Sequence, residues 1–373
     1  MPNRTYVGMM SGTSADGVDA ALVEFAQNGQ YQVLATLFKA YPQKLKNAIN
    51  RCARTYAKID EAELATLDQE LAEFYAASAT ELLIKNNMPH DRVEAIANHG
   101  QTIKHEPNAS PPISIQLGNP SRIAQITNIR TIACFRARDL EVGGQGAPLM
   151  PAFHARYFAS SRDRMVINIG GIANITLVPA NAQQPVLGYD TGPGNTLMDQ
   201  WIFQCLGDSY DDNGTWAESG QDPDSRMLSL LREDPYFKRR FPKSTGPDYF
   251  NMEWLNAKAG HLLKSLSPEI VQRTLCELTA ISIAEAVQSH QIETVDVLVC
   301  GGGAHNSLLM RRLQDLFPNS KVGTTDEVGL PVDWVEATGF AWLGYCYDNN
   351  EPSNLPSVTG ARSAEVLGQS FNP

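Results

Sequence analysis

Cysteine is scarce in this sequence and is never paired. Six cysteines are scattered over 373 residues, and no two of them form a CxxC pair. Structural zinc sites and disulfide frameworks usually depend on closely spaced cysteines, so we expect neither. The thiols are predicted to be reduced and mostly buried.

Long apolar runs are absent too. No stretch approaches the ~20 apolar residues of a membrane-spanning helix. The opening residues, MPNRTYVGMMSGTS, contain no apolar run of the kind that a secretory signal needs. We therefore expect a cytoplasmic protein that does not act at a membrane.

Basic residues are outnumbered. The chain has 30 lysines and arginines against 41 aspartates and glutamates, for a formal net charge of −11. Nucleic acids and anionic membranes bind basic surfaces, so neither is an expected partner. Hydrophobic residues make up 43% and charged residues 19% of the chain, fractions typical of a globular enzyme.

Both halves of the chain open with the same pattern, although no repeat, heptad or low-complexity tract is present. Strands are predicted at Thr5–Val7 and Asp19–Phe25 around one glycine turn, and at Arg164–Ile169 and Ala173–Val178 around another. Alternating helices and strands follow each pair. The chain is also longer than one core usually serves. We predict two related α/β lobes with a cleft between them.

The remaining elements are predicted from periodicity and from residues that begin or end helices. The predicted strands are Tyr31–Ala40, Val93–Asn98, Thr131–Phe135, Val186–Tyr189 and Val295–Cys300. The predicted helices are Gln43–Tyr56, Asp60–Asn86, one beginning at 119–121, Pro268–His290, Asn306–Leu316 and Asp333–Tyr345. The breaker cluster GGQGAP at 143–148 marks a hinge region.

The first glycine turn, Gly8–Asp19, is rich in groups that bind phosphate. Its glycines allow backbone N–H groups to approach phosphate oxygens, and Ser11, Thr13 and Ser14 add hydroxyl groups. Asp16 and Asp19 are candidates to hold Mg²⁺, directly or through water. The patterns GxxxxGK[ST] and GxGxxG are both absent, so the turn is neither a P-loop nor a Rossmann fingerprint. The alternative is an ordinary tight hairpin.

Two further glycine turns lie in the second half. Gly170-Gly171, inside NIGGIANIT, is again a glycine turn between two predicted strands. We expect both hairpins to contact one phosphate chain. Gly301-Gly302-Gly303 lies between a predicted strand and a helix, where three glycines would let a flat ring lie against the backbone. We predict an adenosine contact there; the alternative is a plain strand-to-helix turn.

Candidate catalytic and substrate-binding residues lie near these turns. Asp190, in DTGPGN, ends a predicted strand and is a candidate general base, with a helix N-cap as the alternative. Arg136 and Arg138 are candidates to bind a carboxylate, with surface ion pairs to Asp139 and Glu141 as the alternative. Glu336 is a cleft carboxylate or a helix-start charge. The other candidate substrate contacts are His99, Gln101 and Asn195.

Glycine-rich turns in both halves and a late GGG turn, in this order, resemble the actin, hexokinase and Hsp70 ATPase superfamily. The resemblance implies a two-lobed, ribonuclease H-like α/β ATPase fold with a central interdomain cleft that holds ATP and Mg²⁺. On that basis we assign 1–132 plus 345–373 to an N-terminal lobe and 133–344 to a C-terminal lobe.

The motifs together resemble one family, the anhydro-N-acetylmuramic acid kinases. They span residues 8 to 344 in order: GMMSGTSADGVDAALVEF, NHGQTI, QLGNP, FRARD, GGQGAPLMPAFH, VINIGGIANIT, DTGPGN, VCGGGAHNSLLM and EATGFAWLG. The family converts 1,6-anhydro-N-acetylmuramic acid, ATP and water to N-acetylmuramic acid 6-phosphate and ADP during peptidoglycan recycling. The resemblance also implies a homodimer.

The resemblance implies residue roles as well. Asp190 matches the family's catalytic base, which deprotonates a water that attacks the anomeric carbon while O6 takes the γ-phosphoryl group, and Glu336 assists. The implied nucleotide contacts are Gly12, Thr13, Ser14, Ala15, Asp16, Gly17, Val18 and Asp19, with Asp16 also contacting Mg²⁺. The rival readings are another sugar kinase or a phosphatase of the same fold, or a non-enzymatic ATP-driven binding protein.

Overall fold

The structure, a computed structural model, describes residues 3–12, 14–246, 248–290 and 295–373. The strands are β1 Arg4–Ser11, β2 Gly17–Phe25, β3 Tyr31–Ala40, β4 Val93–Glu106, β5 Ile113–Leu117, β6 Thr131–Ala133, β7 Arg164–Ile169, β8 Ile172–Val178, β9 Leu187–Pro193, β10 Asp296–Cys300, β11 Val322–Thr324 and β12 Gln369–Phe371.

The helices alternate with these strands. They are α1 Gln43–Thr55, α2 Glu61–Lys85, α3 Pro120–Thr127, α4 Phe135–Glu141, α5 Met150–Tyr157, α6 Thr196–Leu206, α7 Thr215–Ser219, α8 Ser225–Arg232, α9 Met252–Leu263, α10 Pro268–Gln288, α11 Ser307–Leu316, α12 Val335–Asp348 and α13 Pro356–Thr359. Across the described residues, no helix is both long and apolar enough to cross a membrane.

The chain divides into two compact units. Unit 1 comprises Met1–Phe153 and Trp334–Pro373. Its described residues form a sheet in the order β12-β6-β4-β1-β2-β3, with β5 paired to β4. One face of the sheet packs its apolar side chains against α1 and α2. On the other face, the Tyr345 ring of α12 stacks on Phe25 and meets Tyr6 edge-on.

Unit 2 comprises His154–Asp333. Its described residues form a sheet in the order β11-β10-β7-β8-β9. The apolar face of this sheet shares a core with α10, whose side chains are buried along most of its length. Because β10 runs parallel to β7, the carboxyl ends of these two strands lie at the same edge of the sheet, where their loops can form a site.

The predicted β-turn-β openings are confirmed. β1 pairs antiparallel with β2, and β7 pairs antiparallel with β8. The predicted helix start at 119–121 is confirmed too, because Asn119 caps α3 by accepting the Arg122 N–H at 3.0 Å and Pro120 occupies the first turn.

Four predicted strand boundaries were wrong, and the first is that of β1, which continues past Val7 to Ser11. β4 continues past Asn98 to Glu106, because Gly100 adopts a φ of +79° in a bulged register and the strand resumes beyond it. β9 continues past Tyr189 to Pro193. The predicted strand Thr131–Phe135 ends at Ala133, because Cys134 takes a φ of +60° and α4 begins at Phe135.

The units also differ from the lobes assigned from the sequence. Residues 133–153 and 334–344 belong to unit 1, not to the second lobe. The buried Asp139 carboxylate of α4 explains part of this placement, because it accepts hydrogen bonds from Asn354 Nδ2 at 2.6 Å and Thr359 Oγ1 at 2.7 Å. These bonds join 133–153 to the C-terminal segment.

Gly8 brings β1 close to the backbone of α12. A Cβ at this position would lie 1.9 Å from the Ala337 carbonyl oxygen and 2.5 Å from the Ala341 nitrogen. Gly8→Ala is therefore expected to lower the free energy of unfolding by about 3 kcal/mol or more, since overpacked backbone contacts cannot relax cheaply. Chemical denaturation measures the change.

Gly260→Ala is the matched control for Gly8→Ala. In α9 the added Cβ would meet nothing closer than 3.8 Å, so the change in stability should stay within about 1 kcal/mol. Equal stability of the two variants would contradict the packing account.

Candidate active site

The turn between β1 and β2 in unit 1 is held by Gln101. Ser11 Oγ donates to Gln101 Oε1 at 2.6 Å, and Gln101 Nε2 donates to the Gly12 carbonyl oxygen at 3.1 Å. The Ala15 N–H closes the turn by donating to the same Gly12 oxygen at 3.2 Å. The Gln101 side chain is buried and serves the turn; its direct contact with a substrate remains a prediction.

The predicted nucleotide contacts of this segment occupy different surroundings. Gly17, Val18 and Asp19 lie inside β2 and pair with β3, and Val18 is a core side chain. Ala15 is buried as well and has a φ of +52°. Gly12 and Ser14 lie in the turn itself, and Thr13 lies outside the described residues. Nucleotide binding by any of these residues remains a prediction.

Asp16, the predicted Mg²⁺ ligand, is exposed and forms an ion pair with Lys46. Nowhere in the described part of the chain do three or more histidine, cysteine, aspartate or glutamate side chains gather as a metal cage would require. Proteins usually hold Mg²⁺ with one or two carboxylates, water and substrate phosphates, and that mode needs no such cage. The exposed carboxylate of Asp16 fits this mode, in which the nucleotide supplies the remaining ligands.

The second group of candidates in unit 1 brings together His99, Arg136 and Glu336. Arg136 Nε donates to His99 Nε2 at 3.0 Å, and Arg136 Nη1 donates to the Gly146 carbonyl oxygen at 2.7 Å. The His99 ring packs on Phe340 with centroids 4.8 Å apart. Glu336 lies one turn before Phe340 in α12, on the same face of that helix. Three candidates from distant parts of the sequence thus form one cluster.

Burial shifts the pKa values of His99 and Glu336 in this cluster. Burial, and next the positive charge of Arg136, hold the pKa of His99 well below its usual range. Burial raises the pKa of Glu336, and Arg136 opposes that rise. His99 Nδ1 is buried and has no hydrogen-bond partner among the residues that the structure describes. The cluster can therefore offer a neutral imidazole, a guanidinium and a carboxyl group that can hold a proton.

Arg138 does not join this cluster. Its guanidinium forms ion pairs with Glu141 at 3.0 Å and Glu365 at 3.1 Å, and about half of its side chain is exposed. The surface ion pair that the sequence left open as an alternative is present here with Glu141. Arg136 and Arg138 therefore offer a matched pair for mutagenesis.

Two buried histidines predict how stability depends on pH. His99 and His154 are 5% and 2% exposed, and burial lowers the pKa of His154 to about 3. Because both stay neutral in the folded state, only the unfolded chain gains their protons below pH ~6.5, and stability falls as the pH falls. Between pH 7 and 5 we expect each to remove about 2 kcal/mol from the free energy of unfolding.

Denaturant unfolding at pH 7, 6 and 5 checks this pH dependence. His154→Asn keeps a polar group near Thr176, whose Oγ1 lies 2.9 Å from His154 Nδ1, but it cannot titrate. The variant should lose about 2 kcal/mol less than the wild type over this range. An unchanged dependence on pH would contradict the assignment.

The glycine turns of unit 2 meet at the carboxyl ends of β7 and β10. A Cβ at Gly301, whose φ is +78°, would lie 2.4 Å from Asn168 Oδ1, and one at Gly303 would lie 2.3 Å from Ile169 Cγ2. By contrast, a Cβ at Gly170 or Gly171 would meet nothing closer than 3.8 Å. The turn at 301–303 is thus packed tightly against β7, and the turn at 170–171 leaves room for a ligand.

Asn195 joins these turns to β9 and α6. Its N–H donates to the Gly170 carbonyl oxygen at 2.8 Å, and its Nδ2 donates to the Ile169 carbonyl oxygen at 3.2 Å. A Cβ on Gly302 would lie 3.7 Å from the same Nδ2. Asn195 therefore holds the turns in place, and its contact with the sugar remains a prediction.

Asp190 lies inside β9, opposite Asn174, and not at the start of a helix. The groups that hydrogen-bond to it belong to a later segment of unit 2, residues 236–245. The Thr245 N–H donates to Asp190 Oδ2 at 2.9 Å, the Tyr236 hydroxyl donates to the Asp190 carbonyl oxygen at 2.8 Å, and the Asp190 N–H donates to the Lys243 carbonyl oxygen at 3.2 Å. One carboxylate oxygen is thus held by a backbone N–H, and the other two bonds fix the Asp190 main chain, so the position of the candidate base is defined.

A buried carboxylate anchors that later segment. Asp234 accepts hydrogen bonds from the Tyr236 N–H at 2.9 Å, Tyr249 Oη at 2.7 Å and Trp254 Nε1 at 2.9 Å, and it pairs with Lys258 at 2.9 Å. These bonds connect the segment to α9. The orientation of Asp190 therefore depends on residues that do not touch it.

This segment was not predicted from the sequence. Its backbone contacts with Asp190 span about fifty residues of sequence and leave no local pattern. One signal was available, because an acidic chain places four cations within six residues, Lys238, Arg239, Arg240 and Lys243, directly before Ser244-Thr245-Gly246. Basic and hydroxyl side chains beside a glycine are a combination that anions favour.

Comparison with solved structures defines the class of the protein. The activator of the 2-hydroxyisocaproyl-CoA dehydratase from Clostridium difficile, solved with bound ADPNP, matches with a TM-score of 0.50 and 13% identity. The match covers 92% of this chain and 95% of that chain. At this identity the likeness shows the fold alone, which is the α/β fold of the actin/hexokinase-like ATPases.

The chain belongs to the anhydro-N-acetylmuramic acid kinase family, whose family model matches residues 4–373. The anhydro-N-acetylmuramic acid kinase of Saccharophagus degradans is 44% identical over 373 residues, which cover 99% of each chain. That of Haemophilus influenzae is also 44% identical, over 100% of this chain and 98% of its own. The predicted family is confirmed.

Proposed function

We propose that this chain is an ATP-dependent kinase that opens 1,6-anhydro-N-acetylmuramic acid with water and phosphorylates O6. The products are N-acetylmuramic acid 6-phosphate and ADP, and the reaction serves peptidoglycan recycling. The observation that carries the proposal is the family match from residue 4 to residue 373, within which Asp190 is held by the Thr245 N–H.

In unit 2, Asp190 accepts a proton from the attacking water. Hydrogen bonding from Thr245 fixes one carboxylate oxygen, so the carboxylate does not have to be ordered when the reaction begins. As the water loses its proton, its oxygen bonds to the anomeric carbon and the bond from that carbon to O6 breaks. O6 then takes the γ-phosphoryl group, and ADP leaves. Positioning and charge neutralisation dominate this kind of transfer.

The glycine turns of unit 2 bind the nucleotide. The open turn at Gly170-Gly171 contacts the phosphate chain, and Gly301-Gly302-Gly303 contacts the adenosine. Asn195 supports both turns through its bonds to the carbonyl oxygens of Gly170 and Ile169. In unit 1, the segment Gly12–Asp19 binds phosphate as well, and Gln101 holds the turn that begins it.

In unit 1, Arg136 binds the lactyl carboxylate of the sugar. Its bonds to His99 and Gly146 orient the guanidinium, and an oriented guanidinium recognises a carboxylate strongly. His99 contributes its buried Nδ1–H as a donor to the sugar. Glu336, with its raised pKa, assists as the group that holds and releases a proton.

Mg²⁺ fits this account as a companion of ATP, where it would neutralise phosphate charge. Asp16, and Asp19 within β2, are the carboxylates proposed to hold it, directly or through water. For Asp16 this requires that the ion pair with Lys46 opens. We further propose that the enzyme acts in the cytoplasm as a homodimer, without nucleic-acid or membrane partners.

ADP release measured with and without the sugar tests this function. The kinase predicts ADP formation that depends on 1,6-anhydro-N-acetylmuramic acid, with one phosphorylated sugar per ADP. A different sugar kinase would turn over ATP only with another sugar, and a phosphatase would form no phosphorylated sugar. An ATP-driven binding protein would hydrolyse ATP slowly whether or not the sugar is present. Any of these three outcomes would overturn the proposal.

A further inference from the structure

The turn Lys243–Gly246 holds Asp190 through backbone contacts, and it also carries two polar groups that, among the described residues, lack a carboxylate partner (Lys243) or a hydrogen-bond partner (Thr245). Neither group is used by the reaction as proposed so far. A buried polar group without a partner costs free energy, and a bound ligand can remove that cost.

Lys243 presents a half-buried ammonium. Its Nζ lies 4.7 Å from the ring centroid of Tyr236 and 5.8 Å from that of Tyr189. Within the described residues its Nζ makes no ion pair within 4.0 Å and no hydrogen bond. Burial lowers its pKa, Asp190 and Glu285 oppose that effect, and Arg239 adds to it. A partly desolvated ammonium without a negatively charged partner would be stabilised by a bound anion.

Thr245 presents a buried hydroxyl. Its Oγ1 is buried and has no hydrogen-bond partner in the described part of the chain, although its own N–H bonds to Asp190 Oδ2. A hydroxyl normally finds a partner when it is buried. The same short turn thus fixes the candidate base and carries a cation without an anionic partner and a hydroxyl without a hydrogen-bond partner among the described residues.

We propose that Lys243 Nζ and Thr245 Oγ1 bind an anionic oxygen of a substrate beside Asp190. The oxygen belongs either to a phosphoryl group of the nucleotide or to the carboxylate of the sugar. The identity of the sugar rests on the proposed function; the anion contact itself does not. Asp190 would repel such an anion, and Lys243 supplies the charge that offsets this repulsion.

A purely structural role for the turn predicts different results. If Lys243 serves only to pack on the two aromatic rings, removing its charge leaves ligand binding unchanged. If Thr245 serves only to fill space, valine replaces it without effect. Thr245→Val keeps the backbone bond to Asp190 and removes an unsatisfied group, so its unfolding temperature should equal or exceed that of the wild type.

Calorimetric titration of the full chain tests the proposal with two probes, AMP-PNP with Mg²⁺ and 1,6-anhydro-N-acetylmuramic acid. Lys243→Met, which keeps the packing stem, should weaken the binding of one probe by about tenfold or more, and Thr245→Val should weaken the same probe by a smaller factor. The affected probe identifies the source of the anion. Arg240→Met is the matched control, because it removes an exposed charge from the same segment, and it should bind both probes like the wild type.

Wild-type affinity of both Lys243→Met and Thr245→Val for both probes would overturn the proposal, as would equal losses in Arg240→Met. If Lys243→Met fails to fold, Thr245→Val decides alone. If the wild type binds nucleotide but does not convert the sugar, the proposed function fails, and the nucleotide titration then decides the anion contact by itself.

Discussion

Asp190→Asn is expected to lower kcat by about 10²–10⁴-fold, the usual contribution of a general base, while the Kd for ATP stays within about twofold. The amide cannot take a proton from water, but its oxygen can still accept the Thr245 N–H that fixes the carboxylate. The fold and the surrounding turn should therefore survive the change, and the loss should fall on the chemical step alone.

Steady-state kinetics and nucleotide titration measure the two quantities separately. Asp208→Asn is the control, because Asp208 is an exposed carboxylate of unit 2; it should leave both unchanged. A kcat of Asp190→Asn within about twofold of the wild-type value would remove Asp190 as the base, since general bases contribute far more than that.

Arg136→Ala is expected to raise the KM for the sugar by at least about 30-fold, because truncating one partner of an oriented charge pair costs about 2–5 kcal/mol. Arg138→Ala removes the same charge two residues away, but there the guanidinium pairs with Glu141 and Glu365 at the surface. Such pairs contribute about 0–1 kcal/mol to stability and nothing to binding, so its KM should change by less than about twofold.

Measurements of KM, kcat and the Kd for ATP distinguish a specific loss of sugar binding from a general disruption of the active site. Loss of Arg136 also leaves His99 Nε2 and the Gly146 oxygen without their donor, so the unfolding temperature is recorded for both variants. Equal effects of the two substitutions, or a normal KM in Arg136→Ala, would show that Arg136 does not bind the sugar.

The fold could be predicted from the sequence where local signals are strong. Apolar runs on either side of a glycine turn identify β1–β2 and β7–β8, and a long helical pattern after Ser267 identifies the 21-residue α10. Two of the failures fall where one residue changes the backbone: a φ of +79° at Gly100 lets β4 continue, and a φ of +60° at Cys134 starts a helix. These angles depend on tertiary contacts that sequence patterns do not carry.

The candidate site was predictable by residue type but not by arrangement. His99, Arg136 and Glu336 were each identified, yet nothing local indicates that Arg136 bonds to His99 or lies near Glu336. The separation of Arg136 from Arg138 was equally hidden, because both belong to the same short motif. The turn around Thr245 was missed because it meets Asp190 through the backbone, which any sequence can supply.

The most direct test of the account is mass spectrometry of the product formed with ATP, Mg²⁺ and 1,6-anhydro-N-acetylmuramic acid in ¹⁸O-labelled water. The account predicts one ¹⁸O at the anomeric position and the phosphate on an unlabelled O6, because water attacks carbon while O6 takes the phosphoryl group. An unlabelled sugar phosphate, or label between O6 and phosphorus, would contradict it.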